Sequence, residues 1–175
     1  SIDASNVTVA GISFGGFISA IAMAIDRRIK AGAFFVTGGN SERMVWEGRI
    51  HYFKKDYRRT EEEYHGLQKS YYAYLEQVRL KGYQNVEAPH PAFLNDPLTF
   101  ADLLAGRPMM MVNARWDEII PRSAVVELWQ ATGRPPITWL PINHPGIWLW
   151  YPYLIRKLVR FLEGAFVKEG ATLKV

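Results

Sequence analysis

Residues 7–17 read VTVAGISFGGF, and this stretch decides the fold of the 175-residue chain. Its first part, Val7 to Ala10, is uncharged and partly β-branched, which is typical of a short buried strand. The residues from 17 to 25 (FISAIAMAI) are almost entirely apolar or small and favour a buried helix. Ser13 lies between the two, flanked by Gly11 and Gly15. The sequence therefore predicts a tight strand-to-helix turn centred on Ser13.

Gly-x-Ser-x-Gly at such a turn is the pattern of a nucleophile elbow, which holds the serine hydroxyl exposed at the end of the strand. We expect side chains at Gly11 and Gly15 to collide with the neighbouring backbone. Ser13 would then lie at a helix N-terminus, where the N–H of Phe14 faces a developing oxyanion. An ordinary glycine-rich turn is the alternative. A nucleotide-binding loop is excluded, because neither Gly-x-Gly-x-x-Gly nor Gly-Lys-Ser/Thr spacing occurs.

Strands and helices alternate on both sides of a long central segment. Apolar runs predict strands at Ala31–Val36, Pro108–Val112 and Ile137–Leu140. Helical patterns cover Leu98–Leu104, Arg122–Thr132 and a last helix from about Pro152, in which one apolar face is predicted from Leu154, Ile155, Leu158, Val159 and Leu162. This order predicts an α/β fold, a parallel sheet with flanking helices.

The central segment, residues 41–95, is charged and aromatic and predicts two or three helices. Breakers at 87–91 and 95–97 end it. We expect residues 1–40 and 96–175 to form the core and 41–95 a helical cap inserted into it. The cap aromatics either line an acyl pocket or, as we favour, pack the cap onto the core; they are Trp46, Tyr52, Phe53, Tyr57, Tyr64, Tyr71, Tyr72 and Tyr74.

Two residues after later strands are candidate partners for Ser13. Asp117 follows the strand Pro108–Val112, and His144 follows Ile137–Leu140. The order Ser, Asp, His is the elbow order, and all three follow carboxyl ends of strands, where open α/β sheets place their sites. A helix-cap aspartate and a structural histidine are the alternatives.

Residues beside this predicted triad are candidates for a substrate pocket. Trp116 precedes Asp117, and Trp148 follows His144 by four positions. The other histidines, His51, His65 and His90, are expected to face solvent or to cap loops.

The motifs GISFGGF, ARWDEIIP and NHPG resemble the carboxyl-terminal part of the α/β-hydrolase fold superfamily. The elbow is similar to that of its esterase, dienelactone-hydrolase-like and prolyl-oligopeptidase-like branches. The resemblance covers residues 6–39 and 96–165. It implies a serine hydrolase with a small-molecule ester substrate and no cofactor, and leaves thioester, lactone and peptide bonds open.

The chain departs from that family before the elbow. Family members carry several earlier strands and a loop that donates a second oxyanion N–H, and we expect the given sequence to lack both. The elbow strand would then be an exposed sheet edge. We expect a homo-oligomer or a complementing chain to cover it, and a non-catalytic interaction domain is the alternative function.

Composition excludes several other classes. The chain has no cysteine, and no histidine pair has metal-ligand spacing, so no metal site is expected. Its net charge of +4 comes from dispersed basic residues, which argues against nucleic-acid binding. The charge-free residues 4–25 contain too many polar and glycine residues for a membrane span. The compartment is not determined, with the cytoplasm favoured.

Overall fold

The computed structural model describes residues 6–49 and 58–167, and within them the chain forms a four-stranded parallel sheet. Its strands lie in the order β1-β2-β3-β4, each paired with its neighbour in the chain. The predicted fold class is confirmed. The strands are β1 (Val7–Ile12), β2 (Ile29–Phe35), β3 (Met109–Ala114) and β4 (Ile137–Leu140).

Helices connect and cover these strands. They are α1 (Phe14–Ile25), α2 (Ser41–Glu47), α3 (Glu61–Lys81), α4 (Ala101–Leu104), α5 (Arg122–Ala131) and α6 (Tyr151–Val167). Short 3₁₀ segments cover Tyr83–Asn85, Pro91–Asn95, Pro97–Phe100 and Pro145–Trp150. The helix predicted over Leu98–Leu104 is a 3₁₀ turn followed by α4. Asp96 caps that turn by accepting the N–H of Leu98, with Pro97 at its start. None of the described helices is long and apolar enough to span a membrane.

The side chains of successive β3 residues point to opposite faces of the sheet. Met109 and Met111 face clusters that include residues of α1 and α5, whereas Met110 and Val112 pack with Leu154 of α6. Both faces are apolar, as expected for a parallel strand covered by helices on each side.

The insertion packs into the same core as α5. Tyr71 and Tyr74 of α3 are buried in one cluster with Leu128, and Tyr71 lies 4.5 Å from the ring of Phe93. Trp46 stacks on Tyr64 with ring centroids 4.9 Å apart. Tyr71 and Tyr74 thus pack the segment 41–95 against the core, as the favoured alternative predicted, whereas Trp46 and Tyr64 pack α2 against α3 within that segment. Tyr52, Phe53 and Tyr57, with His51, lie outside the described residues.

Among the described residues, strand β1 lies at one edge of the sheet and pairs with β2 alone. The apolar face predicted for α6 is wrong in part, because only Leu154 is buried, while Ile155 and Val159 are 40% and 47% exposed. These two follow Leu154 and Leu158 by one position, about 100° further around the helix, so they point away from the sheet. An apolar flank of α6 therefore remains uncovered.

Asp96 ties the insertion to the core through a buried carboxylate that is 1% exposed. One oxygen accepts the N–H groups of Asn40 and Leu98, both at 2.9 Å, and the other accepts the hydroxyl of Ser41 at 2.7 Å. Asn40 has a left-handed backbone (φ 63°) that turns the chain from β2 into α2. The start of α2 is thus fixed by a residue that lies 56 positions after Asn40 in the chain, directly after the segment 41–95.

Replacing Asp96 by asparagine should lower the free energy of unfolding by about 1–3 kcal/mol, because an amide nitrogen cannot accept a buried N–H. Denaturant unfolding of Asp96→Asn against Asp102→Asn measures this. Asp102 is exposed on α4 and has no side-chain partner among the described residues. Equal unfolding midpoints for the two variants would contradict the assigned role.

Candidate active site

Ser13 occupies a strained turn between β1 and α1. Its backbone has φ 54° and ψ −122°, a combination that side chains rarely adopt. The strain is held by hydrogen bonds on both sides: the Ser13 N–H donates to the Phe35 carbonyl of β2 at 2.9 Å, and the Gly16 N–H donates to the Ser13 carbonyl at 2.8 Å. This is the geometry of the predicted nucleophile elbow.

Gly11 and Gly16 permit this turn by sterics. A Cβ at Gly11 would lie 2.2 Å from the carbonyl oxygen of Gly15, and one at Gly16 would lie 1.9 Å from Oγ1 of Thr37. The steric reason expected for Gly15 is wrong, because a Cβ there meets no atom within 4 Å. Gly16, which the sequence pattern does not single out, is the second tight position.

The three candidate side chains form one hydrogen-bonded chain. Oγ of Ser13 lies 2.9 Å from Nε2 of His144, and Nδ1 of His144 lies 2.8 Å from Oδ2 of Asp117. The Asp117 side chain is 3% exposed. A carboxylate accepts only, so Nδ1 of His144 carries the proton, and in the neutral ring Nε2 is free to accept the serine proton.

Backbone hydrogen bonds place Asp117 beside His144. The Arg115 N–H donates to the Leu140 carbonyl at 2.8 Å, and the Trp116 N–H donates to the Ile142 carbonyl at 3.0 Å. These bonds extend the pairing of β3 and β4 into the loops beyond their carboxyl ends. Oδ1 of Asp117 accepts the N–H groups of the residues at 119 and 120 at 2.9 and 2.8 Å, which fixes the carboxylate.

Phe14 is the first residue of α1, and its N–H has no acceptor within the helix. Phe14 directly follows Ser13, and its N–H lies at the positive end of a twelve-residue helix. A negative charge forming on a carbonyl oxygen beside Ser13 is stabilised at such a position.

A cleft of about 660 Å³ opens over Ser13. Core residues Phe14, Phe17 and Ile18 form one wall. The other lining residues come from the segment 41–95 and from the loop after Asp117, and they are Ser41, Glu42, Met44, Val45, Arg59, His90, Ala92, Asn95, Ile119 and Ile120. Apart from a few polar groups the lining is apolar, as in most small-molecule sites.

Two charged residues of the cleft pair with each other. Nε of Arg59 lies 3.1 Å from Oε2 of Glu42, and Nη2 lies 3.4 Å from Oε1. Opposite charges in a two-point contact neutralise one another locally. The sequence analysis missed this pair, since the two residues are 17 positions apart and no periodicity links them.

The two tryptophans predicted for the pocket lie elsewhere. Trp116 and Trp148 are 63% and 61% exposed and are not among the residues that line this cleft. His65 is exposed on α3, as expected. His90 caps a 3₁₀ segment through Nδ1, which accepts the Ala92 N–H at 3.1 Å, and it also lines the cleft. Among the described residues no group of three or more His, Asp or Glu side chains could hold a metal ion.

This parallel sheet with its flanking helices is an α/β-hydrolase fold that lacks part of the usual sheet within the described residues. The structure is similar to that of the α/β-hydrolase GrgF from Penicillium sp. sh18 (TM-score 0.58, 17% identity, 94% of this chain and 65% of that one). It is also similar to a Pyrococcus furiosus esterase (TM-score 0.58, 13% identity, 90% of this chain and 53% of that one). A third similar structure is the enol-lactonase of Burkholderia xenovorans LB400 (TM-score 0.54, 16% identity, 91% of this chain and 66% of that one).

The chain thus spans between about half and two thirds of the length of these three proteins. No protein-family model and no curated protein matches its sequence. At such low identity the likeness concerns the fold alone.

The two flanking glycines should respond oppositely to alanine. Gly11→Ala should lower stability by about 1–3 kcal/mol, because its methyl group meets the Gly15 carbonyl. Gly15→Ala should keep or raise stability by up to about 1 kcal/mol, since alanine favours a helix over glycine. Thermal unfolding of both variants measures this. Equal losses would contradict the contact described at Gly11.

Proposed function

We propose that this chain is a serine hydrolase that cleaves carboxylic esters through an acyl-enzyme. The observation that carries the proposal is the continuous hydrogen-bonded chain from Ser13 through His144 to Asp117, built on a strained elbow. A hydroxyl is a weak nucleophile unless a base accepts its proton, and this arrangement supplies the base and its orienting group.

In the first half-reaction Oγ of Ser13 attacks the ester carbonyl while Nε2 of His144 takes the hydroxyl proton. The buried carboxylate of Asp117 stabilises the imidazolium, and the Phe14 N–H binds the oxyanion. The tetrahedral adduct collapses, and the departing alcohol takes the proton from Nε2. In the second half-reaction water attacks the acyl group by the same route, releases the carboxylic acid and restores Ser13.

The cleft favours small to medium uncharged esters. Its apolar wall of Phe14, Phe17 and Ile18 suits an acyl chain, and the pairing of Glu42 with Arg59 leaves no net charge to attract an ionic substrate. Two similarly folded proteins are named an esterase and an enol-lactonase, which supports an ester or lactone bond. Thioester and peptide substrates are the remaining alternatives.

We further propose that residues 41–95 act as a cap on a core of residues 1–40 and 96–175. Four cleft residues between 41 and 45, together with Arg59 and three residues between 90 and 95, support this division, because they line the same cleft as Ser13. Substrate size would then be set by the insertion, while the reacting groups belong to the core.

A second polypeptide is proposed to cover β1, either another copy of this chain or a complementing chain. Uncovered apolar side chains on both sides of the edge support this: Val7 in β1, Ile18 in α1, and Ile155 and Val159 in α6. An open strand edge with apolar flanks favours association. The same edge supports the alternative function, a non-catalytic interaction domain.

A fluorophosphonate probe should label the folded protein at Ser13, and p-nitrophenyl acetate and butyrate should be hydrolysed. Ser13→Ala should abolish labelling, and His144→Ala and Asp117→Asn should slow hydrolysis by about 10²–10⁴-fold, since each removes part of the proton path. Ser70→Ala, on α3 outside the cleft, is the matched control. Folded wild-type protein with an inert Ser13 would favour the interaction domain.

Native mass spectrometry should find the chain in a dimer or in a complex with another polypeptide. The double variant Ile155→Lys/Val159→Lys should shift it to monomer, because charges on the uncovered flank oppose burial. Leu80→Lys changes an equally apolar, exposed residue on α3 and should leave the assembly intact. A monomeric wild type at micromolar concentration would contradict the proposed cover.

A further inference from the structure

A second cleft, of about 440 Å³, lies between α6 and the strands β3 and β4. It is lined by Met110 and Thr138, each the second residue of its strand, so it opens near the amino-terminal end of the sheet. Ser13, Asp117 and His144 follow the carboxyl ends of the strands. The two clefts therefore occupy opposite ends of the sheet.

Three cations from one face of α6 line this cleft. Arg160 is the helical neighbour of both others, because it follows Arg156 by four positions and Lys157 by three. Among the residues that the structure describes, no acidic residue lines the cleft with them. Like charges at this spacing repel one another, so the arrangement costs stability when nothing anionic is bound.

None of these three cations has a hydrogen bond or an ion pair among the described residues; Lys157 has one ring contact, with Nζ 5.9 Å from the centroid of Tyr153. Three other arginines do pair with carboxylates: Arg28 with Asp26, Arg43 with Glu47 and Glu127, and Arg59 with Glu42. The donors of the α6 face are therefore available to a ligand.

The remaining walls of the cleft are largely apolar, which is not typical of a site for a simple ion. Met110 and Phe161 are apolar, and the ring of Tyr153 stands at one side, while the Thr138 hydroxyl has no partner among the described residues. A phosphate group fills only part of the cleft, and clefts of a few hundred Å³ hold whole small molecules. The lining therefore has a cationic part, formed by the three α6 residues, and an apolar part, formed by Met110 and Phe161.

We propose that this cleft binds a small phosphate ester whose phosphate contacts Arg156, Lys157 and Arg160 and whose organic group lies against Met110 and Phe161. Guanidinium groups bind phosphate oxygens in two-point contacts, and three positive charges match a dianion better than a monocarboxylate. The site is separate from Ser13 and does not depend on ester hydrolysis.

Calorimetric titration with phenyl phosphate tests the proposal, with Ser13→Ala protein used so that the serine cannot react. Phenyl phosphate should bind at one site, inorganic phosphate more weakly, and phenol not at all. Arg156→Gln and Arg160→Gln should each weaken phenyl phosphate binding by about tenfold or more, since each removes a charge-assisted contact. Arg79→Gln, an exposed and unpaired arginine on α3, should leave it unchanged.

Three results would overturn the proposal. The first is the absence of saturable phenyl phosphate binding to folded protein. The second is binding that Arg156→Gln and Arg160→Gln leave unaltered. The third is sedimentation with phosphatidylglycerol vesicles in the absence of phenyl phosphate binding, which would assign the three cations to a lipid surface instead of a closed site.

Discussion

The close approach of Gly11 to Gly15 is the constraint on which the rest of the structure depends. It lets α1 begin directly at the end of β1 and forces Ser13 into its left-handed conformation. A serine in a relaxed turn would not be directed to the same point as a loop from β4. The parallel sheet brings Asp117 and His144 to the same point, because the carboxyl ends of its strands lie at one edge of the sheet.

The described part of the chain is a well-packed core with one uncovered side. Tyr71, Met111 and Leu154 are almost fully buried in clusters on the two faces of the sheet. No residue of strand β1 is buried, which makes it the least covered of the described strands. Ser13 directly follows this strand, so the stability of the candidate site and the state of that edge are coupled.

The sequence predicted the sheet and the three candidate reactive residues, because strand patterns and the order Ser, Asp, His are local signals. It did not predict the cleft walls. The pairing of Glu42 with Arg59 depends on how the insertion folds back, and no local pattern encodes such long-range contacts. Trp116 and Trp148 were chosen for nearness to Asp117 and His144 in sequence, which does not fix the direction of a side chain.

The backbone bonds that join the loops after β3 and β4 have a kinematic consequence. Because Arg115 and Trp116 are tied to the loop that leads to His144, the carboxylate and the imidazole belong to one mechanical unit. Ser13 belongs to another, anchored on β2 through the Phe35 carbonyl. The hydrogen bond between His144 and Asp117 thus joins two loops that backbone hydrogen bonds tie directly together, whereas the one between Ser13 and His144 joins the ends of β1 and β4, which β2 and β3 separate in the sheet.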